Sequence, residues 1–369
     1  MTASRIWANV LLDGFYAVSL CVSAMFFIAT QRATSARWSA GLRRIPEAFM
    51  CALPLFLLML LPLVVFEGPR TALYPWSRPG AFAHLPEIAG KARYLKAPFV
   101  FARIAIVFAA WLLFMRAFRR ASLAQDHAAG ARLRMHQRLD RLGAGFIVVF
   151  ALTITLAAYD WLGSLDPSWS STMFAVYVFA GAFVQGIAAI TLATVTLMRR
   201  EPLRAVVGEH QLHDLGKMLF AFSIFWTYIW VCQYLLIWYG NIPEEVGHFI
   251  TRTSGGWLPV FVANVLVNFV VPFVGLLSVR AKTDPRRLAL IAATVLVGRW
   301  LDLYVLIMPA LEPAPRFGVV EVLLAAVTGA LLVVLFRIHA KRAPLVPSND
   351  PVLAADAAGA HPVVRRHAA

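Results

Sequence analysis

The chain has 369 residues, of which 60% are hydrophobic and only 14% are charged. Soluble domains carry about 25% charged residues, so this composition excludes an ordinary soluble protein. The formal net charge of +15 lies mostly in short connections between apolar stretches, a pattern that argues against a nucleic-acid-binding protein.

Nine apolar stretches are each long enough to cross a bilayer, since a spanning helix needs about 20 mostly apolar residues. We therefore predict an all-α polytopic membrane protein whose transmembrane helical domain covers residues 1–342. The predicted spanning helices are 9–29, 47–66, 97–116, 143–163, 172–197, 215–238, 258–279, 288–310 and 319–338. Residues 343–369 mix Ala, Pro and His with charge and are predicted to form a disordered cytoplasmic tail.

Basic residues are concentrated in alternate connections between these stretches. The Lys- and Arg-rich connections are 30–46, 116–142, 198–217, 280–287 and the tail, whereas 160–172, 239–257 and 311–318 have few. Short basic loops stay in the cytoplasm, so we predict a cytoplasmic C-terminus and a periplasmic N-terminus. The connection 67–96 is also basic, and the other connections outweigh it.

A group of polar residues is predicted to lie in the outer half of the bilayer, on four different helices. A charge at this depth costs several kcal/mol unless it is paired or hydrated. We expect these residues either to line a shared polar cavity or to anchor their helices singly at the interface. The group consists of Arg103, Asp160, Gln233, Tyr239 and Asp302, with Asp166 just beyond Asp160.

Arg299 and Asp302 are three residues apart on one predicted helix, so they share a face and can pair. One interpretation is a buried ion pair that locks the packing of the bundle. The other is a functional pair, in which Asp302 carries protons or contacts a quinone head group, since a buried carboxylate can exchange protons.

Three polar residues nearer the cytoplasmic side suggest a proton uptake route: Gln185, Lys217 and Tyr228. The alternative for Lys217 is a side chain that extends to a lipid headgroup. At the outer end of the helix 215–238, Gly240 and Pro243 predict a stop that leads to Glu244 and Glu245. These two glutamates indicate either a docking surface for an extrinsic redox partner or a proton exit.

No histidine lies inside a predicted spanning helix, and the three cysteines lie in separate apolar stretches. Membrane haem proteins commonly need histidine ligands within the bundle, and iron–sulfur clusters need grouped cysteines. We therefore expect no metal site in this chain, and we assign no catalytic residue.

Four stretches resemble known membrane-subunit signatures. They are HDLGKMLFAFSIFWTYIWVCQYLLIWYGNIPEE (213–245), YDWLGSLDPSWSSTMFAVYVFAGAFVQG (159–186), GRWLDLYVLIMPA (298–310) and KARYLKAPFVFARIAIVFAAWLLF (91–114). They resemble one of the two large membrane subunits, the ActF type, of alternative complex III, a bacterial quinol:cytochrome c oxidoreductase. The wider group is the NrfD/polysulfide reductase membrane-subunit family. Its members have ten helices with two central four-helix bundles, so the resemblance implies that a first helix would precede residue 9.

The resemblance implies a multi-pass subunit in the bacterial cytoplasmic membrane that supports quinol oxidation or proton translocation in a respiratory chain. It implies quinone or quinol (menaquinone or ubiquinone) as ligand, with haem c and iron–sulfur clusters held by partners. Those partners would be an NrfD-like sister subunit, an iron–sulfur protein and c-type cytochromes, besides membrane lipids. Carried over by motif are Asp160, Asp166, Lys217, Tyr228, Gln233, Glu244, Glu245, Arg299 and Asp302. The alternatives are a secondary transporter that uses Arg299 and Asp302, and a purely structural membrane anchor.

Overall fold

The structure is a computed structural model that describes residues 3–84, 86–127 and 132–357, and every regular element within these ranges is helical. In the described chain, nine helices are long and apolar enough to cross a membrane, which confirms the predicted all-α polytopic class. These helices are α1 (Ala3–Ala33), α2 (Arg44–Val65), α3 (Ala97–His127), α4 (Leu133–Leu165), α5 (Phe174–Leu197), α6 (Glu209–Gly240), α8 (Leu258–Gly275), α9 (Pro285–Ala310) and α10 (Val319–Lys341). Two shorter helices complete the set used below, α7 (Pro243–Thr253) between α6 and α8, and α11 (Pro351–Ala357).

The spanning helices pack as two groups of four. Helices α1 to α4 contact one another in the first group, and α5, α6, α8 and α9 do so in the second. The two groups meet along α1 and α5, the two most enclosed spans, in which 94% and 83% of the residues in the apolar stretch are buried. Helix α10 lies outside both groups against α1 and α2, and only 17% of its apolar stretch is buried. A central pair of buried helices therefore carries side chains that both groups can reach.

The bundle has two ends, which we name by their residues. The α7 end comprises the connections 166–173, 241–257 and 311–318, and the Asp350 end comprises 34–43, 198–208 and 343–354. The predicted topology puts the α7 end outside the cell and the Asp350 end in the cytoplasm.

The C-terminal segment differs from the predicted disorder over its first part. Asp350 is only 1% exposed, and its carboxylate accepts a hydrogen bond of 2.7 Å from Arg43. The neighbouring Asn349 donates to the carbonyl of Asp126 at 2.5 Å. An ion pair with a buried arginine holds this polar segment against the bundle, which composition alone does not predict. Residues 358–369 of the predicted disordered tail lie outside the described residues.

Two spanning helices contain a π turn, in which backbone hydrogen bonds run to the fifth residue along the chain. One π turn covers Ala158–Leu162 in α4, and the other covers Leu266–Val270 in α8, followed by Pro272. Such turns are rare in proteins and frequently occur at functional sites. Both lie beside buried charged residues, and these charges define the candidate sites.

Candidate functional site

The most connected buried carboxylate in the second helix group belongs to Asp302 on α9, which is 1% exposed. One oxygen accepts hydrogen bonds from the hydroxyl of Tyr177 on α5 and from the amide of Asn264 on α8, the latter at 2.8 Å. The other oxygen pairs with the Arg299 guanidinium at 2.5 Å. Three helices thus meet at one carboxylate, and the predicted pairing of Arg299 with Asp302 is present.

Two local features of the chain create this arrangement. Gly181 on α5 has no side chain at the point where the Arg299 guanidinium lies, and a Cβ there would overlap that group. Asn268, within the π turn of α8, donates to the Gly298 carbonyl at 2.8 Å and to the side-chain oxygen of Asn264 at 2.7 Å. The glycine therefore admits the arginine, and the π turn places Asn268 so that it ties α8 to α9.

Arg299 is incompletely satisfied in this site. Its Nε and Nη1 atoms are buried and have no hydrogen-bond partner, although the group lies 5.0 Å from the Trp226 ring centroid. A buried polar atom without a partner carries a desolvation cost of about 1–3 kcal/mol. The site therefore has unused hydrogen-bonding capacity next to a carboxylate.

A small cavity of about 20 Å³ lies beside Asp302 towards the α7 end. A space of this size holds about one water molecule. Its polar lining comes from Tyr177, Gln233, His248, Arg252, Asn264 and Asp302. The predicted proximity of Gln233 to Asp302 is thus present in the structure, with α7 as a further contributor.

Helix α7 closes this cavity with two buried basic side chains. The His248 ring stacks on Trp169 with centroids 3.9 Å apart, and burial together with nearby Arg252 holds the pKa of His248 well below its usual range. Arg252 donates to the carbonyls of His248 and Leu306, each at 2.7 Å. Burial lowers the pKa of Arg252 to about 10, which still leaves it charged at neutral pH. The cavity is therefore lined by the Asp302 carboxylate, the charged Arg252 guanidinium and the neutral His248 imidazole. The imidazole lies between α7 and Trp169 of the connection 166–173.

A second buried pair occupies the first helix group. Arg103 on α3 donates two parallel hydrogen bonds to Asp160, at 3.0 and 2.7 Å, and Asp160 lies in the π turn of α4. The guanidinium also lies 3.7 Å from the Tyr94 ring centroid and donates to the Tyr94 carbonyl at 2.9 Å. The pair is saturated by these contacts, which is typical of a structural clamp.

The five residues predicted for one outer polar cavity are divided between different places. Asp302 and Gln233 line the 20 Å³ cavity, whereas Asp160 lines a separate cavity of about 10 Å³. Tyr239 is 87% exposed at the end of α6 and contributes to neither cavity. The expectation of a single shared cavity is corrected by this division, because Asp160 faces α3 rather than the second group.

Two of the three residues predicted for proton uptake lie at the surface of the bundle. Lys217 pairs with Asp214 at 2.5 Å and its side chain is 53% exposed, while Tyr228 is 61% exposed. Gln185 is buried, where it donates to the Tyr16 carbonyl and accepts from the Ser19 hydroxyl, each at 2.9 Å. Gln185 thus ties α5 to α1, and the structure does not connect these three residues to one another.

The two glutamates after α6 lie in the first turn of α7. Asn241 adopts a left-handed conformation (φ 47°) that ends α6, and Pro243 begins α7 after a turn. Glu244 is exposed and Glu245 half-buried, and carboxylates are favourable in a first helical turn. Asp166, nearby at the α7 end, accepts a hydrogen bond of 2.5 Å from Ser168.

Sequence reasoning missed several buried charges within the spanning helices. Asp13 on α1 is 1% exposed and accepts a hydrogen bond of 2.8 Å from Trp300 on α9. Glu321 on α10 forms a two-point pair with Arg5, both contacts at 2.8 Å. Asp13 is a charged residue inside the apolar predicted span 9–29, and that position is the signal that would have singled it out.

The largest missed cluster lies at the Asp350 end. The buried Glu47 carboxylate pairs with Arg44 at 2.8 Å and with Arg119 at 2.9 Å, and it accepts a hydrogen bond from Ser122. Arg44 reaches further to Asp126 on α3. Arg44 and Arg119 lie in the predicted connections 30–46 and 116–142, where basic residues indicate topology, and Glu47 is the first residue of the predicted span 47–66.

The fold and the buried network define an all-α polytopic membrane protein with polar clusters inside both helix groups. No protein-family model matches the chain, and no curated protein matches it. Over residues 3–84, 86–127 and 132–357, no group of three His, Cys, Asp or Glu side chains converges as a metal site would require.

Proposed function

We propose that this chain is a membrane subunit of a quinol:cytochrome c oxidoreductase of the alternative complex III type, in a bacterial cytoplasmic membrane. One observation carries the proposal. Three of the four stretches that resemble that family, 159–186, 213–245 and 298–310, supply Tyr177, Gln233 and Asp302 to the same small cavity. The three stretches thus contribute polar side chains to one cavity beside the buried Asp302 carboxylate.

The chemistry that this site offers is proton transfer. Oxidation of a quinol to a quinone releases two electrons and two protons, and the protons need acceptors. Asp302 is a buried carboxylate that accepts a hydrogen bond from the Tyr177 hydroxyl, beside space for about one water molecule. We assign the electron carriers, haem c and iron–sulfur clusters, to partner subunits, and to this chain the movement of protons or an auxiliary quinone pocket.

The proposal is tested by isolating the chain with its natural partners. We expect a tagged full-length chain to bring down haem c and iron–sulfur proteins that oxidise a menaquinol or ubiquinol analogue. Tyr177→Phe removes only the hydroxyl that contacts Asp302, and it should lower quinol oxidation about tenfold or more. Tyr239→Phe is the matched control, since that hydroxyl is at the exposed end of α6.

Three results decide between the alternatives. A colourless chain that purifies without redox partners would contradict the proposal. An intact, redox-active complex in which Tyr177→Phe leaves turnover and proton release unchanged would indicate a structural anchor. Glu244→Gln further separates the two interpretations of the glutamates in α7, which are partner docking and proton exit. Loss of cytochrome reduction with an intact complex would assign that surface to partner docking.

A secondary transporter is the second candidate, and one observation favours it. Helix α8 is interrupted by the π turn at Leu266–Val270 and by Pro272, next to the incompletely satisfied Arg299. Interrupted spanning helices are typical of transporter binding sites. Solute or ion flux through proteoliposomes that contain only this chain, abolished by Asp302→Asn, would favour the transporter.

A further inference from the structure

A second and larger cavity, of about 210 Å³, lies at the Asp350 end of the bundle. It is formed by the last turn of α1, the short helix Arg37–Leu42, the start of α4 and the C-terminal segment around Asp350. None of its residues belongs to the site around Asp302. We call it the basic cavity, since Arg32, Arg37 and Arg43 line it.

The ionisable lining of the basic cavity comprises these three arginines, two carboxylates and one imidazole. The carboxylates are those of Asp140 and Asp350, and the imidazole is that of His136. Arg32 contacts all three of these, at 2.9 Å for His136, 3.4 Å for Asp350 and 3.6 Å for Asp140. Three guanidinium-bearing side chains thus line one open space, with the Asp350 carboxylate paired to both Arg32 and Arg43.

Arg43 has unused hydrogen-bonding capacity in this wall. It is 5% exposed, and its Nη1 donates to Asp350 at 2.7 Å. Its Nε lies 3.3 Å from Glu47 without a hydrogen bond, and its buried Nη2 has no hydrogen-bond partner. Burial, followed by the repulsion of Arg32, lowers the pKa of Arg43 to about 10.

The carboxylate that does satisfy Arg43 comes from far along the chain. Asp350 follows α10, and it is held by the backbone of Val352 at 3.0 Å as well as by Arg43. The rest of the lining combines apolar and small polar groups, among them Phe27, Ile28 and Pro46 from the ends of α1 and α2. A cavity with arginines at its wall and apolar groups from the spanning helices suits a ligand with an anionic head and an apolar attachment.

We propose that the basic cavity is a binding site for a phosphate-bearing anion, held by Arg43 with Arg32 and Arg37, and that the Asp350 carboxylate competes with this anion for Arg43. Arginine clusters recognise phosphate through several N–H donors at once. Basic pockets between spanning helices on the cytoplasmic side bind the head groups of anionic lipids. The same chemistry would also accept a soluble phosphate ester, so the two sources are separated by experiment.

The test uses the purified full-length chain, stripped of lipid in detergent, and two probes. One probe is dioleoyl-phosphatidylglycerol, measured by native mass spectrometry against dioleoyl-phosphatidylcholine, and the other is glycerol 1-phosphate. We expect Arg43→Gln to weaken phosphatidylglycerol binding about fivefold or more, since one basic residue contributes about that factor at an anionic lipid surface. The opposite change is expected for Asp350→Asn, which removes the competing carboxylate and should tighten binding severalfold.

The matched control is Arg200→Gln, since Arg200 is an exposed arginine at the same end of the bundle and does not line the cavity. Binding of phosphatidylglycerol alone with these opposite changes would assign the site to a lipid head group. Binding of both probes would assign it to phosphate esters in general. The proposal is overturned if neither probe binds, or if Arg43→Gln and Asp350→Asn change binding no more than the control.

Because Arg43→Gln could also disturb folding, the Asp350→Asn result has independent weight. Loss of fold cannot produce tighter binding, so a folded Asp350→Asn chain with unchanged affinity would itself contradict the competition. Arg37→Gln, on the short helix at the rim, supplies a second weakening variant outside the spanning helices.

Discussion

The Arg299 guanidinium lies directly against the backbone of Gly181, on a neighbouring helix, at a place where no side chain could fit. This contact lets Arg299 reach Asp302 from within its own helix while it faces α5. Gly181 and Arg299 therefore form one structural unit, although no hydrogen bond joins them.

Gly181→Ala should consequently destabilise the protein by about 1–3 kcal/mol, the usual cost of overpacking, because the new methyl group displaces Arg299. Gly329→Ala, on the spanning helix α10, is the matched control, since a Cβ at Gly329 meets nothing within 4 Å. Thermal unfolding in detergent measures both. A Gly181→Ala midpoint equal to that of Gly329→Ala would show that Arg299 is not held as described.

Asp302→Asn should destabilise the protein more strongly, by about 3–5 kcal/mol, because it leaves Arg299 as a buried charge without its counter-charge. Combining it with Arg299→Met should recover much of this loss, since the uncompensated charge is removed as well. The four chains of this double-mutant cycle are compared by thermal unfolding, with Asp166→Asn as a control for loss of a carboxylate near the α7 end. Strict additivity of the two substitutions would contradict the pairing.

Arg103→Lys keeps the charge of the second pair and removes its geometry. Lysine cannot donate the two parallel hydrogen bonds to Asp160, nor stack on Tyr94 as a planar group. We expect a loss of about 2 kcal/mol in the free energy of unfolding. Arg78→Lys, at an exposed position in the connection 67–96, should change it by less than about 0.5 kcal/mol.

His248 should make the stability of the chain depend on pH. Its pKa is lowered in the folded state by burial and by Arg252, so below about pH 6.5 the unfolded chain binds a proton that the folded chain does not. Stability from this group is therefore fully present above pH 6.5 and falls by about 1.4 kcal/mol per pH unit below it, until the folded-state pKa is reached.

The measurement is the unfolding midpoint at pH 7.5 and pH 5.0 for the natural chain, His248→Phe and His127→Phe. His127 is exposed at the end of α3 and serves as the control. His248→Phe should lose less stability than the natural chain on acidification. Equal losses in all three chains would mean that His248 is protonated in the folded state.

Hydropathy predicted the fold class because each span in the described chain is a continuous apolar run. A helix that crosses a bilayer needs little beyond about 20 mostly apolar residues. The pairing of Arg299 with Asp302 was predictable for a related reason, since both lie three residues apart on one helix. The Arg103–Asp160 pair was named only as two members of a group, because contact between different helices is not encoded in local spacing.

The charges at the Asp350 end were beyond sequence reasoning for a physical reason. Glu47 is satisfied by residues from α2 and α3, and Arg43 by Asp350, so each cluster needs the tertiary fold before it exists. Lys217, Tyr228 and Tyr239 show the reverse case. Their positions along the predicted helix suggested a proton route for Lys217 and Tyr228 and a polar cavity for Tyr239, whereas the rotation of α6 turns all three towards the surface.

The π turn in α4 sets the phase between the two parts of that helix. A π turn contains one residue more than the α-helical turn it replaces, and each residue of an α-helix rotates the next side chain by about 100°. If the same residues formed an uninterrupted α-helix, everything beyond Leu162 would be turned by about that angle relative to its present orientation. Deleting a single residue from Ala158–Leu162 would instead convert the segment to a regular helix and leave the residues beyond it on their present faces. The extra residue therefore determines which faces of α4 the residues after the π turn occupy.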